Sequence, residues 1–514
     1  MSTASRTLNI APVAESVGIH LTNAQLVRML LVDRSFNDTY KQWAWAGANL
    51  GHFRRLSKLP THEIVEFLCK VRRINVDLTT STACAQILQW IWPQSYVYAP
   101  GWVGNLQSVA VHLHTYPPLS VVHALLGNSL GSVVIELDSP EVLEDQGGAA
   151  DRQLRVANVL DRIRTNVRKL VRLVLVFPAQ VWDAQCLDLL NIILRQCSPR
   201  LQTLQLYDIP DAELLLSPDR VWDDLSSLQL HIVDAPLIPL RPVQLQTPLY
   251  SSLYHLELTT NAGIAVNILA RTSSKLCVLD LNLVATARGG IDSNTINGRL
   301  ERDHIETIFD SVQVGFHGLT QLRLHLPYLR QPLSADRLLQ LVSCSRLTVL
   351  SIHVEQDGQP DLEDAHLQTL AHAFPYLEQF DVRWKEFKAS YRPDRHLCTN
   401  VTVRGLAAFR SHTNLCNIHL YGIQQDTKDL SALLNLPPPN LDASGRVELS
   451  IHAFRPCPLR CWEPETLTES EQSFVAKFVQ ATKHAWGTRR LGLHFSVQDL
   501  FWKEFIKRYA EADD

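Results

Sequence analysis

Five histidines, His112, His231, His325, His353 and His452, each directly follow the last apolar residue of a short alternating stretch. Imidazoles titrate near pH 6.5, so histidines along one edge would make binding pH-sensitive or ligate a metal. A metal ladder is disfavoured, because neighbouring strands lie about 4.8 Å apart while two alternating units intervene between His231 and His325. The histidines read as separately solvated side chains. Cys457 and Cys461 in "CPLRC", near His452, lack a fourth ligand for zinc and read as two unrelated thiols. No G-x-S-x-G, P-loop, H-E-x-x-H or post-strand G-x-G-x-x-G is present. Glycine pairs at 147 and 289, in "LEDQGGAAD" and "ARGGIDSN", read as loop insertions, since neither precedes a helix that starts with a basic residue. The expectation is a chain without catalytic residues, cofactor or metal.

The elements that would position polar side chains come from a repeated pattern. In "LCVLDLNL", residues 276–283, aliphatic residues stand at i, i+3 and i+5. Clear copies start at 201, 225, 253, 319 and 347, and looser ones at 71, 106, 130, 170, 377 and 415. The twelve starts are separated by 23 to 43 residues, averaging about 31. The last two apolar positions lie two apart, so in a strand they share one face while the residues between and beside them share the other. Helical patterns fill several intervals: 183–197, 334–347 with Ser334 as cap and Leu338, Leu339, Leu341 and Val342 as apolar stripe, 363–374 and 401–412. "LPTHEIVEFL", 59–68, reads as the opening helix of the array. Strand and returning helix, repeated, call for parallel strands side by side. A doubly wound α/β enzyme also alternates strands and helices.

With leucines at i, i+3 and i+5 in unit after unit, the chain resembles the leucine-rich-repeat family from about residue 71 to 425, or to 495 if "RVELSI" and "RRLGLHF" are late units. The Asn or Cys that turns the chain after the strand in that family is mostly absent. The fold class this implies is α/β: a leucine-rich-repeat solenoid, a curved parallel sheet with outer helices, preceded by a short helical segment. The expected organisation is a head at 1–58, repeats over 59–455, and degenerate last repeats with a helical cap over 456–514. Phe474, Phe478, Trp486, Phe501, Trp502 and Phe505 are placed to close the final apolar face.

The strand positions pointing away from the core would line the concave surface, where a solenoid holds partners. Tyr207, His231, His255, Glu257, Asp280, Arg323, His325, His353, Arg383, His419 and Tyr421 are the candidate substrate-binding residues on that face. Thr203, Gln205, Ser227, Gln229, Thr259, Asn282, Gln321, Ser351, Gln379, Asp381 and Asn417 share the register. Val134, Val174 and Val176 occupy the same positions in earlier units, so that part is either covered or an apolar patch.

Upstream, "LVDRSFNDTY", 31–40, resembles the second half of an F-box, with Leu31, Val32, Arg34 and Phe36 at matching positions and Asp33 in place of the family's cysteine. The resemblance is to the F-box and leucine-rich-repeat proteins abundant in fungi. It implies a Skp-type adaptor held by Leu26, Met29, Leu30, Val32, Phe36 and Tyr40, and a substrate protein presented to a cullin-RING ubiquitin ligase. "APVAESVGIHLT" lacks the Leu-Pro opening of an F-box. The segment is thus a degenerate or truncated F-box, or a cap on the first repeat's apolar face.

Composition agrees with a protein-binding role. With 48 basic and 52 acidic residues and a net charge of -4, the chain shows no electrostatic footprint for nucleic acid or an anionic membrane. No run of about 18 apolar residues would span a membrane, and "MSTASRTLNIAPVAES" lacks a secretory core. Ten cysteines scattered mostly in apolar runs suit free buried thiols in a reducing compartment, cytoplasmic or nuclear. A monomer is expected. Residues 236–248 and 385–400 read as loop insertions.

Overall fold

Each of the twelve repeat starts is followed, two residues on, by the first residue of a strand. The strands of the computed structural model are β1 (Gly47–Ala48), β2 (Arg73–Leu78), β3 (Ser108–Leu113), β4 (Ser132–Leu137), β5 (Arg172–Val176), β6 (Thr203–Ile209), β7 (Ser227–Ile232), β8 (His255–Thr260), β9 (Val278–Leu283), β10 (Gln321–Leu329), β11 (Val349–Gln356), β12 (Gln379–Glu386), β13 (Asn417–Tyr421), β14 (Val447–His452) and β15 (Leu491–Ser496). The structure describes residues 47–56, 58–78, 87, 102–113, 120–127, 129–137, 149–210, 212–217, 220, 222–232, 248–285, 295–356, 361–386, 401–402, 405, 407–412, 414–421, 447–452, 480 and 491–496.

The chain divides into two compact units, residues 1–210 with 217–228 and residues 211–216 with 229–514; the division falls within β7. In the first unit β1 to β6 pair in chain order, all parallel. In the second, β8 to β15 do the same. A doubly wound sheet reverses its strand order at a switch point; within each unit here, sheet neighbours are sequence neighbours. The architecture is therefore α/β of leucine-rich-repeat type. β14 and β15 fall on "RVELSI" and "RRLGLHF", so the repeats continue to 496.

A backbone ladder explains the regular spacing. The carbonyl after each opening leucine accepts two N–H groups from the next repeat: Arg72 O from Gln107 and Ser108, Cys277 O from Thr320 and Gln321, Thr348 O from Glu378 and Gln379. One unit thus sets the register of the next. The leucines at i, i+3 and i+5, for example Leu276, Leu279 and Leu281, are each 0% exposed, and burying each stabilises the fold by about 1.5–3 kcal/mol.

Helices close the leucine side. In the first unit they are α1 (Leu50–Leu56), α2 (Thr61–Lys70), α3 (Ser120–Leu125), α4 (Ala149–Asn166) and α5 (Ala184–Cys197). The second unit contributes α6 (Glu213–Leu216), α7 (Ala262–Leu269), α8 (Ile296–Gly315), α9 (Ala335–Leu339) and α10 (Asp364–Ala373). Asp183 caps α5 by accepting from Cys186 N, Asn261 caps α7 and Ser334 caps α9, so short polar residues start these helices as their chemistry favours. Carboxylates also tie one repeat to the next. Asp361 accepts from Ala335 N at 2.6 Å, and Asp364 from Thr402 N and Oγ1 at 2.7 and 2.6 Å. No helix among the described residues is long and apolar enough to cross a membrane.

Four local expectations change. The segment 1–58, expected to be helical, contains β1 as well as α1. Residues 149–151, read as part of a glycine loop, begin the 18-residue α4. The helix expected over 401–412 is, among described residues, chiefly a 3-10 turn, Ala407–Ser411; Asp364 pins the chain at Thr402 ahead of it. Cys69 and Cys416 are exposed rather than buried, Cys416 because the position after the opening leucine lies at the strand-start edge. Cys186, Cys197 and Cys344 are buried, and burial pushes the first two thiols up to about 12.

Candidate functional site

β8, β9 and β10 alternate buried and more exposed residues, so every second side chain faces away from the leucines onto the other sheet face, where β11 and β12 place the buried Ser351 and Asp381. Parallel pairing lines these residues up in rows. One row runs Glu257, Asp280, Arg323, Ser351, Asp381 and His419; the next runs Thr259, Asn282, His325, His353 and Arg383. The register alone thus gathers charged and imidazole groups from β8 to β12 within a few strand spacings.

At the centre lies Asp381, only 3% exposed although it carries a carboxylate. Arg383, two residues on and therefore on the same face, donates to it twice: Nε to Oδ1 and Nη2 to Oδ2, both at 2.6 Å. His353 Nε2 lies 3.3 Å from Oδ2 and 3.4 Å from Ser351 Oγ. Burial drives the Asp381 carboxyl upward, but the hydrogen bonds from His353 and Arg383, with their positive charge, bring it net below the ordinary carboxylate value.

His325 stacks on His353, with ring centroids 4.2 Å apart and planes tilted by 54°. Burial, followed by the like charge that His353 and Arg383 would bring, lowers the His325 pKa, although Asp280 and Asp381 pull the other way. Arg323 Nη1 lies 3.9 Å from Asp280 Oδ2 and 3.4 Å from Gln321 Oε1. Burial raises the Asp280 pKa, opposed by Arg323, His325 and His255. Two guanidiniums, two carboxylates and two imidazoles thus share one patch and hold each other in place. Ser351 Oγ and Asp381 Oδ2 both meet the same nitrogen of His353, so the imidazole does not link hydroxyl to carboxylate through its two nitrogens, and the arrangement suits recognition by charge-assisted hydrogen bonds.

The candidate residues divide accordingly. Asp280, Arg323, His325, His353 and Arg383 are brought together. His255 and Glu257 lie on the adjoining β8, half-buried on the same face. Tyr207 belongs to β6 in the first unit and His231 to β7, away from this cluster in register. His419 and Tyr421 lie on β13, in register with Asp381 and with β14. Leu26, Met29, Leu30, Val32, Phe36 and Tyr40 lie outside the described residues. The picture of separately solvated histidines fails twice: His325 and His353 stack, and His112 Nδ1 lies 2.7 Å from Glu136 Oε2. Both pairs come from adjacent repeats, where the register leaves only one strand spacing between them. Asp381 was on the open-face register but not singled out; its signal was an acidic residue two before an arginine on one strand, within pairing distance of a histidine on the next.

The fold is α/β with a long parallel sheet of sequential strands alternating with helices, consistent with a leucine-rich-repeat solenoid, and it carries a polar, pre-paired sheet face. No protein-family model matches the chain, and no curated protein matches it. A solved structure similar to it is a chain in the crystal structure of the Rad7 and Elc1 complex in yeast, at 13% identity and a TM-score of 0.34, covering 78% of this chain and 98% of that one. A likeness at that level carries no weight for function, and the architecture rests on the strand pairing described above.

Proposed function

We propose that this chain is a non-enzymatic protein-recognition subunit that holds a protein partner on the open face of β8 to β12. Its finer role in this reading is to present that partner to a cullin-RING ubiquitin ligase through a Skp-type adaptor bound by Leu26, Met29, Leu30, Val32, Phe36 and Tyr40. The observation that carries the recognition role is the Arg383–Asp381–His353 network with its neighbours His325 and Arg323. Arginines fixed in advance lose little freedom on binding and serve as anchors at interfaces. Mixed charge on one face selects a partner by complementarity. The ligase role is supported by the F-box-like residues 31–40. A second reading, a repeat scaffold without adaptor binding, is favoured by Asp33 and by the missing Leu-Pro opening.

Two measurements test these roles on the full chain. Partners captured by cross-linking and identified by mass spectrometry should be retained about tenfold less by the double variant Arg323→Ala, His325→Ala, with folding intact; normal retention would move the site elsewhere. Calorimetry against purified Skp-type adaptor should show binding that Phe36→Glu abolishes. Absence of binding by the unaltered chain would leave the scaffold reading.

A further inference from the structure

At the strand-start edge of the first unit an open groove of about 440 Å³ is lined by Arg72, Asn105, Gln107, Ser129, Gly131 and Lys169. Its floor is the backbone ladder of consecutive repeats. The carbonyls of Arg72, Gln107 and Gly131 each already accept two N–H groups, so these acceptors are spent. The side chains that remain include a guanidinium, an ammonium, two carboxamides and a hydroxyl, a set dominated by donors and without a carboxylate.

Among the described residues, the cations there have no partner of opposite charge. Arg72 is anchored by donating Nη1 to the carbonyls of Cys69 and Val71, 2.7 and 3.1 Å away, and makes no ion pair among the described residues. Lys169, Arg73 and Arg172 are exposed, and among the described residues no carboxylate pairs with any of them. Arg73 and Arg172 align in one register row with Ser108 and Ser132 between them. The strip runs on into the next repeat, where Arg200 Nη1 donates to the Arg168 carbonyl at 2.7 Å. In a chain with net charge -4, a basic strip at one edge is a local feature that the overall balance conceals.

We propose that this groove binds an acidic, extended segment of a protein partner. Its dimensions favour that occupant. Arg72 and Lys169 belong to repeats three strands apart, so the two ends of the groove lie roughly 14 Å apart at about 4.8 Å per strand. One phosphate cannot reach both ends. Carboxylates four residues apart on an extended chain are separated by about 13 Å and fall on one side of it, because side chains alternate. Neutral donors between the cations then meet the peptide backbone. No aromatic side chain is among the described residues that line the groove, so none of them offers a surface to stack a base, which disfavours single-stranded nucleic acid. This site stands independently of the open-face reading.

The test is fluorescence anisotropy with the full chain and a labelled Glu-Thr-Gly-Thr-Glu peptide at low ionic strength. Saturable binding is expected, weakened about tenfold by Lys169→Glu, partly by Lys169→Gln, and not at all by Lys275→Glu on the second unit. The peptide Glu-Glu-Thr-Gly-Thr, with adjacent carboxylates, should bind more weakly. Circular dichroism checks that each variant keeps its fold; if Lys169→Glu does not, the Lys169→Gln result decides. No binding by the unaltered chain, or equal binding by both Lys169 variants, overturns the proposal. Tighter binding of an oligothymidylate overturns it in favour of nucleic acid, and equal binding of a singly phosphorylated, otherwise neutral peptide overturns the two-point geometry.

Discussion

The two units place different chemistry on the same repeat position. In the first, the open-face row runs Asn75, Ala110, Val134, Val174 and Gln205; in the second it runs Glu257, Asp280, Arg323, Ser351 and Asp381. Val174 is 1% and Val134 6% exposed, and β4 and β5 each carry three consecutive buried residues. The valines are therefore buried and not an exposed patch; Ser351 on β11 and Asp381 on β12 are buried at the same repeat position, so the two units differ there in chemistry, apolar in one and charged or polar in the other. β9 keeps its alternation, and its outward Asp280 stays half-buried beside Arg323. The inward leucines are interchangeable between units. The backbone framework therefore depends on them, while the outward residues are free to be apolar in one unit and charged or polar in the other.

The largest expected effect tests the shared framework. Leu279→Asp places a carboxylate at a position with 0% exposure in the centre of the second unit, and a loss of more than about 4 kcal/mol is expected. Thermal denaturation followed by circular dichroism would show the repeats unfolding, and an unchanged midpoint would contradict the register. The next effect tests the contrast itself. Val174→Asp should cost about 3 kcal/mol because the new charge would be buried without a partner, whereas Gln321→Asp, half-buried on the open face, should stay within about 0.5 kcal/mol. Equal tolerance of the two substitutions would show that Val174 is not buried.

Much of the framework was legible because its period is carried by side chains that cannot be exchanged. The i, i+3, i+5 leucines marked every strand from β2 to β13, and the register then followed from one repeat to the next. The patterns 183–197 and 363–374 announced α5 and α10, and Ser334 with its one-sided apolar stripe announced α9. α7 was not legible for the opposite reason: all eight of its residues are buried, so it has no polar face and no periodicity. The site was legible as a set of positions and not as a network. Register places His353 beside His325 and Asp381, but whether Arg383 turns back onto Asp381 depends on rotamers that no spacing encodes. The basic edge was hidden because its cations come from separate repeats, 72 and 73 in one and 168 to 172 in another, and the total charge averages them away.

The contrast is sharpened last by removing a carboxylate from the second unit's row instead of adding one to the first. Asp381→Asn keeps the shape but loses the charge that holds Arg383 and His353, and should cost about 1–3 kcal/mol at neutral pH. The pH dependence carries the sign. Because the folded carboxyl lies below its ordinary 3.8, the unfolded chain takes up the proton first. The stabilisation is therefore complete above about pH 4 and is lost as pH falls through the folded value. The stability curves of the unaltered chain and Asp381→Asn should converge in that acid range, as read by chemical denaturation at successive pH values; curves that stay parallel would show that no ion pair holds this carboxylate. Asp280 has the reverse shift, raised by burial, so ionising it costs stability as pH rises above its ordinary value. Asp280→Asn should accordingly be neutral or slightly stabilising at pH 7. Two aspartates in one row, answering acid in opposite directions, would separate the residue that orders this face from the one held ready for a partner's charge.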